Sequence, residues 1–203
     1  MTKQWRVERS RDRYYRQAKR ENYRSRAVYK LKQIDHEFDL IRPGDVIVDL
    51  GAAPGGWSQV AAELGGPTSK IFALDIDRMT PIPGVTFMRG DIRNEQVINR
   101  LLEIVPEGVD VVISDMSPDI SGNYSYDHAR SVELCEHALN FARTVLKPGG
   151  NFVVKMFFGD MSKGYVRNVK DNFKEAHVHH PKASRLTSSE VYIVGLGYRR
   201  RRR

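Results

Sequence analysis

The segment DVIVDLGAAPGGWSQVAAEL, residues 45–64, constrains the fold more than any other stretch of the chain. Its first part is a continuous apolar run ending in Asp49, the pattern of a strand buried on both faces. Glycines at 51, 55 and 56 follow at once, removing side chains from a loop and letting a ligand approach the backbone closely. The remainder reads as a helix. A buried strand, a glycine-rich loop and a helix in succession begin an α/β unit, and such a strand needs further strands beside it.

Those strands are present. Apolar runs recur at 70–77 (KIFALDID), 84–91 (GVTFMRGD), 108–115 (GVDVVISD) and 151–157 (NFVVKMF), with helical patterns near Glu95–Ile104 and Ala129–Leu146 between them. Ahead of the first strand, Ala27, Val28, Leu31, Ile34 and Phe38 recur at helical spacing toward Arg42, Pro43 and Gly44, and that helix carries Lys30. After a helix around Gly164–Phe173 come FKEAHVHH and SSEVYIVGLGY, whose short connection cannot make a parallel crossover. An antiparallel pair is therefore expected at the end. A dinucleotide-binding domain would continue with parallel units. The expected fold is α/β and Rossmann-like: a seven-stranded, mostly parallel sheet with an antiparallel last strand, as in S-adenosylmethionine-dependent methyltransferases.

With 203 residues, 40% of them hydrophobic, the chain suits a single domain over residues 1–203. No stretch nears the roughly 18 apolar residues of a membrane span, and the opening MTKQWRVERS is charged where a secretory signal is apolar. A cytoplasmic protein away from membranes, and a monomer, is expected. The single Cys135 excludes an intrachain disulfide and a zinc cluster, and reads as a small buried helix residue. His177 and His179 face one side of a strand and His180 the other, without acidic or thiol partners at ligand spacing, so no metal site is expected.

The net charge of +8 is segregated. Residues 1–32 hold twelve Lys and Arg against Glu8, Asp12 and Glu21, for +9, and Arg199 to Arg203 add +5. The body between them carries sixteen basic and twenty-two acidic residues, for −6. Basic ends on an acidic body suggest that the ends grip a polyanion while the body does something else. A basic RNA-binding extension is expected at about 1–30, where Tyr14, Tyr15 and Tyr23 alternate with Arg13, Arg16, Lys19, Arg20, Arg24 and Arg26, and a basic tail at 199–203. Solvated ends that only aid solubility are the alternative.

In open α/β sheets the ligand lies beyond the carboxyl ends of the strands. Acids collect there: Asp49 after the first strand, Asp75 and Asp77 after the second, Asp91 after the third, Asp115 after the fourth. Such carboxylates suit S-adenosylmethionine, with Asp75 placed for the ribose diol and Asp91 for the adenine amino group. Asp75 would equally suit NAD. The loop separates the two, because GAAPGGW lacks the G-x-G-x-x-G spacing that seats a pyrophosphate and Pro54 removes an amide donor. Lys155 interrupts an apolar strand and Glu190 opens another, which costs free energy unless each is paired or reaches the strand's open end.

DLGAAPGGWSQV (49–60), SDMSPDISG (114–122), VVKMF (153–157) and SSEVYIVG (188–195) together resemble the FtsJ/RrmJ family, also called RlmE, of ribosomal RNA 2′-O-methyltransferases. The resemblance runs from about Arg24 to Gly197. It implies a catalytic tetrad at Lys30, Asp115, Lys155 and Glu190, and cofactor contacts at Gly55, Trp57, Asp75, Asp91 and Asp115, to which the loop adds Gly51. Trp57 can equally be simple helix packing. Implied too are S-adenosyl-L-methionine as cofactor, large-subunit rRNA or the large ribosomal subunit as partner, and methylation of a uridine ribose. Lys155 would act as general base or as the donor that orients the hydroxyl. The alternatives are a transfer RNA substrate on the same fold, a non-catalytic RNA-binding assembly factor, and an NAD-dependent oxidoreductase.

Overall fold

The apolar runs build one sheet in the computed structural model, which describes residues 12–185 and 188–199. Its strands are β1 (Val46–Leu50), β2 (Lys70–Asp75), β3 (Val85–Arg89), β4 (Val109–Ser114), β5 (Leu146–Phe157), β6 (Phe173–His179) and β7 (Glu190–Tyr198). They lie in the order β3-β2-β1-β4-β5-β7-β6. The pairs from β3 through β5 are parallel, whereas β7 is antiparallel to both β5 and β6. The strand order turns around between β1 and β4, so the carboxyl ends of these two strands flank the natural ligand crevice.

Alternation along the strands divides the core into two faces. Ile47, Ile71, Val111, Ile113, Val153, Tyr192 and Val194 pack against α2 (Val28–Phe38) and α3 (Gly56–Gly65). Val48, Leu50, Val112, Phe152, Val154 and Ile193 face α4 (Glu95–Ile104), α5 (Tyr124–Val145) and α6 (Ser162–Asn172). Cys135 lies fully buried on this second face, its thiol donating to the Lys155 carbonyl at 3.1 Å.

Three features depart from the sequence reading. The fifth strand starts at Leu146 rather than 151, carrying the Lys147–Gly150 turn with a shift in register against β4. Helix α5 starts at Tyr124, five residues earlier than its apolar pattern, because the Asn123 side chain caps it by accepting from the Tyr126 amide at 3.2 Å. The N-terminal region forms a helix, α1 (Arg13–Arg20), capped by Asp12. Two of the tyrosines near it pack on α2. Tyr14 lies 5.3 Å from Tyr29, and Tyr23 meets Tyr29 edge-on at 6.2 Å, fastening the segment to α2. Expectations placed on residues 1–11 and on Arg200 to Arg203 lie outside the described residues. Among the described residues no helix is long and apolar enough to cross a membrane.

Candidate active site

A cavity of about 310 Å³ opens beyond the carboxyl ends of β1, β2 and β4, and Gly51, Asp75, Asp91 and Asp115 are among its walls. Gly51 has φ +77°, and a Cβ there would stand 2.3 Å from Met116 Cγ, so a side chain would strain the backbone and collide. Asp75 is held by two backbone amides, Ala53 N to Oδ2 and Asp77 N to Oδ1, both at 2.8 Å. Partial burial nevertheless pushes its carboxyl above the usual range. Asp91 differs. Arg93 grips its carboxylate at 2.7–3.1 Å, and those hydrogen bonds outweigh burial and hold the group below the usual range. An amino group approaching Asp91 therefore meets a carboxylate already shared with a guanidinium.

Gly55 and Trp57 do not line this cavity. Gly55, at φ +111°, caps α3 and faces Ile82, Met79 and Arg24. Trp57 is 3% exposed; its indole N–H donates to the Ala27 carbonyl at 2.9 Å and its ring lies 5.7 Å from that of Tyr192. It joins the start of α2 to β7, the two elements that carry Lys30 and Glu190.

Lys30, Asp115, Lys155 and Glu190 come together beside the cavity, with Asp115 in its wall. Lys155 Nζ donates to the Asp115 carbonyl at 2.6 Å and stands 3.2 Å from its Oδ1. Lys30 Nζ donates to Glu190 Oε2 at 2.7 Å. The two pairs communicate through charge: burial acts to raise the Glu190 carboxyl, but the Lys30 and Lys155 ammoniums outweigh it and hold the group below the usual glutamate range. Strand register brings this about, since Lys155 pairs with Tyr192 across β5 and β7 and Glu190 lies two residues back on the same face. Two ammoniums and two carboxylates, nearly closed to solvent, form a rigid charge array able to hold and polarise a hydroxyl at the cavity's edge.

A sequence profile described as FtsJ-like methyltransferase matches residues 23–198, which takes in every strand and the whole charge array. This chain belongs to the FtsJ-like methyltransferase family. Among family relatives, the ribosomal RNA large subunit methyltransferase E of Methanosarcina barkeri is 52% identical over 186 residues, covering 91% of this chain and 70% of that protein. Its namesake from Archaeoglobus fulgidus is 49% identical over 189 residues, covering 93% and 97%. A crystal structure from Plasmodium falciparum, of a protein assigned as a ribosomal RNA methyltransferase, superposes with a TM-score of 0.78 at 32% identity, covering 87% of this chain and 98% of that one.

Tyr192 and Arg24 escaped the sequence reading of this FtsJ-like site, and Asp49 stood there only as one of the strand-end acids. Tyr192 donates its hydroxyl to Asp115 Oδ1 at 2.7 Å, and its alternation with Glu190 was the available signal. Asp49, fully buried, accepts from Ser58 Oγ at 2.6 Å through Oδ2, while Oδ1 has no hydrogen-bond partner among the described residues. Burial pushes its carboxyl up to about 7, helped by the charges of Asp115 and Asp75. Arg24 donates to the carbonyls of Pro54 (3.1 Å), Thr80 (2.5 Å) and Pro81 (2.9 Å), tying the glycine loop to the segment after β2. Backbone acceptors leave no trace in a sequence. The terminal histidines pack elsewhere: His177 and His179 flank Phe38 at 5.1 and 5.4 Å, and His179 pairs with Glu37 at 3.2 Å.

Proposed function

We propose that this methyltransferase moves a methyl group from S-adenosylmethionine to a ribose 2′-hydroxyl, on a uridine of large-subunit ribosomal RNA, as one catalytic domain with a basic N-terminal extension. The observation that carries the reading is the meeting of Lys30, Asp115, Lys155 and Glu190 beside a cavity walled by strand-end carboxylates. The names of its relatives support ribosomal RNA as the substrate class. On the exposed side of α1, Arg13, Arg16 and Arg20 surround a shallow depression, which suits contact with the phosphates of that RNA.

The cavity fits the cofactor by its chemistry. Carboxylates of Asp75 and Asp91 suit hydroxyl and amino donors, and the backbone at Gly51 is open only because no Cβ is there. Bound there, S-adenosylmethionine would supply a methyl group activated by a sulfonium. The protein's own task is then to set the ribose oxygen in line and remove its proton. Lys155, held by the side chain and carbonyl of Asp115, is in position to donate to that oxygen and orient it. Tyr192 donates to the same Asp115 oxygen, Oδ1, and so fixes that carboxylate, while Lys30 holds Glu190 so that its charge stays close to Lys155. The hydroxyl proton must leave as the new bond forms, and it can pass to Lys155 Nζ as Nζ gives one of its own to the Asp115 carboxylate 3.2 Å away.

Arg24→Ala is expected to weaken S-adenosylmethionine binding about tenfold, because three charge-assisted hydrogen bonds that align the two loops are lost. Calorimetric titration of the variant, with its unfolding temperature as control, measures this; unchanged affinity would remove Arg24 from the account of the site. The substrate is tested by offering labelled cofactor with large ribosomal subunits, free ribosomal RNA and transfer RNA. Label is expected in large-subunit RNA. Label in transfer RNA alone would overturn the substrate assignment, and cofactor binding without transfer to any RNA would favour a non-catalytic assembly role.

A further inference from the structure

Large exposed apolar side chains are unevenly distributed on this molecule. Of the eight among the described residues, Ile120, Tyr124, Tyr126, Phe158 and Met161 all stand on the segments that leave the carboxyl ends of β4 and β5. Those are the strand ends next to Asp115 and Lys155. Tyr124 is 59% exposed and Phe158 48% exposed, a cost in hydration that an unoccupied surface does not recover.

The patch is anchored to the site. The Tyr124 hydroxyl donates to the Phe158 carbonyl, and the Tyr124 ring stacks on His128 at 6.4 Å and 14°. The Phe158 amide donates to the carbonyl of Ser189 at 2.8 Å, immediately before Glu190. His128 completes the frame, with Nδ1 2.8 Å from the Phe157 carbonyl and Nε2 accepting from the Met161 amide at 3.1 Å. Gly159 is required there, since a Cβ would come within 2.7 Å of the His128 ring. The rings are thus presented on a fixed backbone that is continuous with the strand ends bearing Lys155 and Glu190.

We infer that Tyr124 and Phe158 form a stacking platform for unpaired bases of the RNA that flank the target ribose; this rests on the proposed RNA methyl transfer. Phe158 follows Lys155 by three residues, roughly 10 Å along a strand at ~3.3 Å per residue. That is about three steps at the ~3.4 Å rise of stacked bases, so a strand with one ribose at Lys155 reaches the rings without stretching. Exposed π-faces accept any base, and the rigid mounting costs the protein little entropy on binding. A cation is also at hand: the Arg130 guanidinium, which belongs to the cavity wall, lies 5.6 Å from the Tyr126 ring centre. Mixed aromatic and cationic groups beside a ribose site suit a single-stranded polyanion better than a second protein surface.

Steady-state methyl transfer with RNA as the varied substrate tests the platform. Tyr124→Ala and Phe158→Ala are each expected to raise KM for RNA about tenfold, with kcat within about twofold and cofactor affinity unchanged. Phe158→Trp, which keeps a π-face, is expected to retain the wild-type KM, and Phe158→Gln serves where alanine lowers the unfolding temperature. An active wild-type enzyme whose KM is untouched by these changes would overturn the platform alone, whereas a wild-type protein that methylates no RNA would overturn the function beneath it. Loss of a dimer in the variants, read by light scattering, would assign the patch to contact between two copies instead and reject the RNA assignment.

Discussion

Replacing Lys155 by alanine is expected to lower kcat for methyl transfer by about a thousandfold and to leave cofactor affinity within about threefold. The size of the effect follows from where Nζ sits. It is held between the carbonyl and carboxylate of Asp115, on a side chain 7% exposed, so its direction is set before substrate arrives. Cofactor affinity should be spared because Lys155 is not among the residues lining the cavity proposed to hold the cofactor. Removing one member of a nearly buried pair is also expected to destabilise the fold, by about 3 kcal/mol, since Asp115 is left with Tyr192 as its close side-chain donor among the described residues. Lys155→Met separates the two effects, restoring bulk without the donor: stability recovers and the rate does not. Single-turnover rates beside calorimetric cofactor titrations measure both, and an alanine variant that transfers methyl at the wild-type rate would take Lys155 out of the mechanism.

Asp49→Asn is expected to reduce the pH dependence of stability between pH 5 and 8. Burial raises the folded Asp49 carboxyl from 3.8 to about 7, so the folded state binds a proton more tightly than the unfolded chain. A group shifted in this direction contributes its stability fully below about pH 4 and loses it as pH rises through 7. The total available is on the order of 4 kcal/mol at most. Wild-type protein therefore becomes less stable from pH 5 to 8, and the Asn variant, which cannot ionise, follows a flatter line. Glu190 acts in the opposite sense, its contribution being present above the usual glutamate value of 4.5 and lost in more acidic solution, outside this window. Asp75 adds a smaller decline of the same sign as Asp49, discounted for its exposure to water. Urea unfolding of both proteins at several pH values decides; parallel slopes would mean that Asp49 is not the titrating group.

Much of this arrangement was legible because strand alternation and loop length are strong signals. The apolar runs placed six of the strands within a few residues, and the short connection before SSEVYIVGLGY gave the antiparallel β7. Lys155 and Glu190 stood out as charges in apolar strands, and register then made them neighbours. What escaped lacked such contrast. Helix α1 has no apolar stripe, burying only Ala18, and depends on Asp12 and on tyrosine packing to form. The start of β5 was hidden by Lys147, Pro148, Gly149 and Gly150, turn residues that a strand tolerates here beside a register shift. Trp57 and Gly55 sit in the most distinctive motif of the chain, yet a motif does not say which of its members face the cavity. The structure gives those two to the packing of α3 against α2 and the loop after β2.

The chemistry at the centre of this account is transfer to a ribose oxygen rather than to a base, and alkaline hydrolysis of RNA labelled by the enzyme distinguishes them. A methylated 2′-oxygen can no longer attack the adjacent phosphate, so the expected product is label in an alkali-stable dinucleotide, absent when Lys155→Ala enzyme is used. Label recovered in ordinary mononucleotides, carried on the base, would contradict the assignment of Lys30, Asp115, Lys155 and Glu190 to a hydroxyl-activating site.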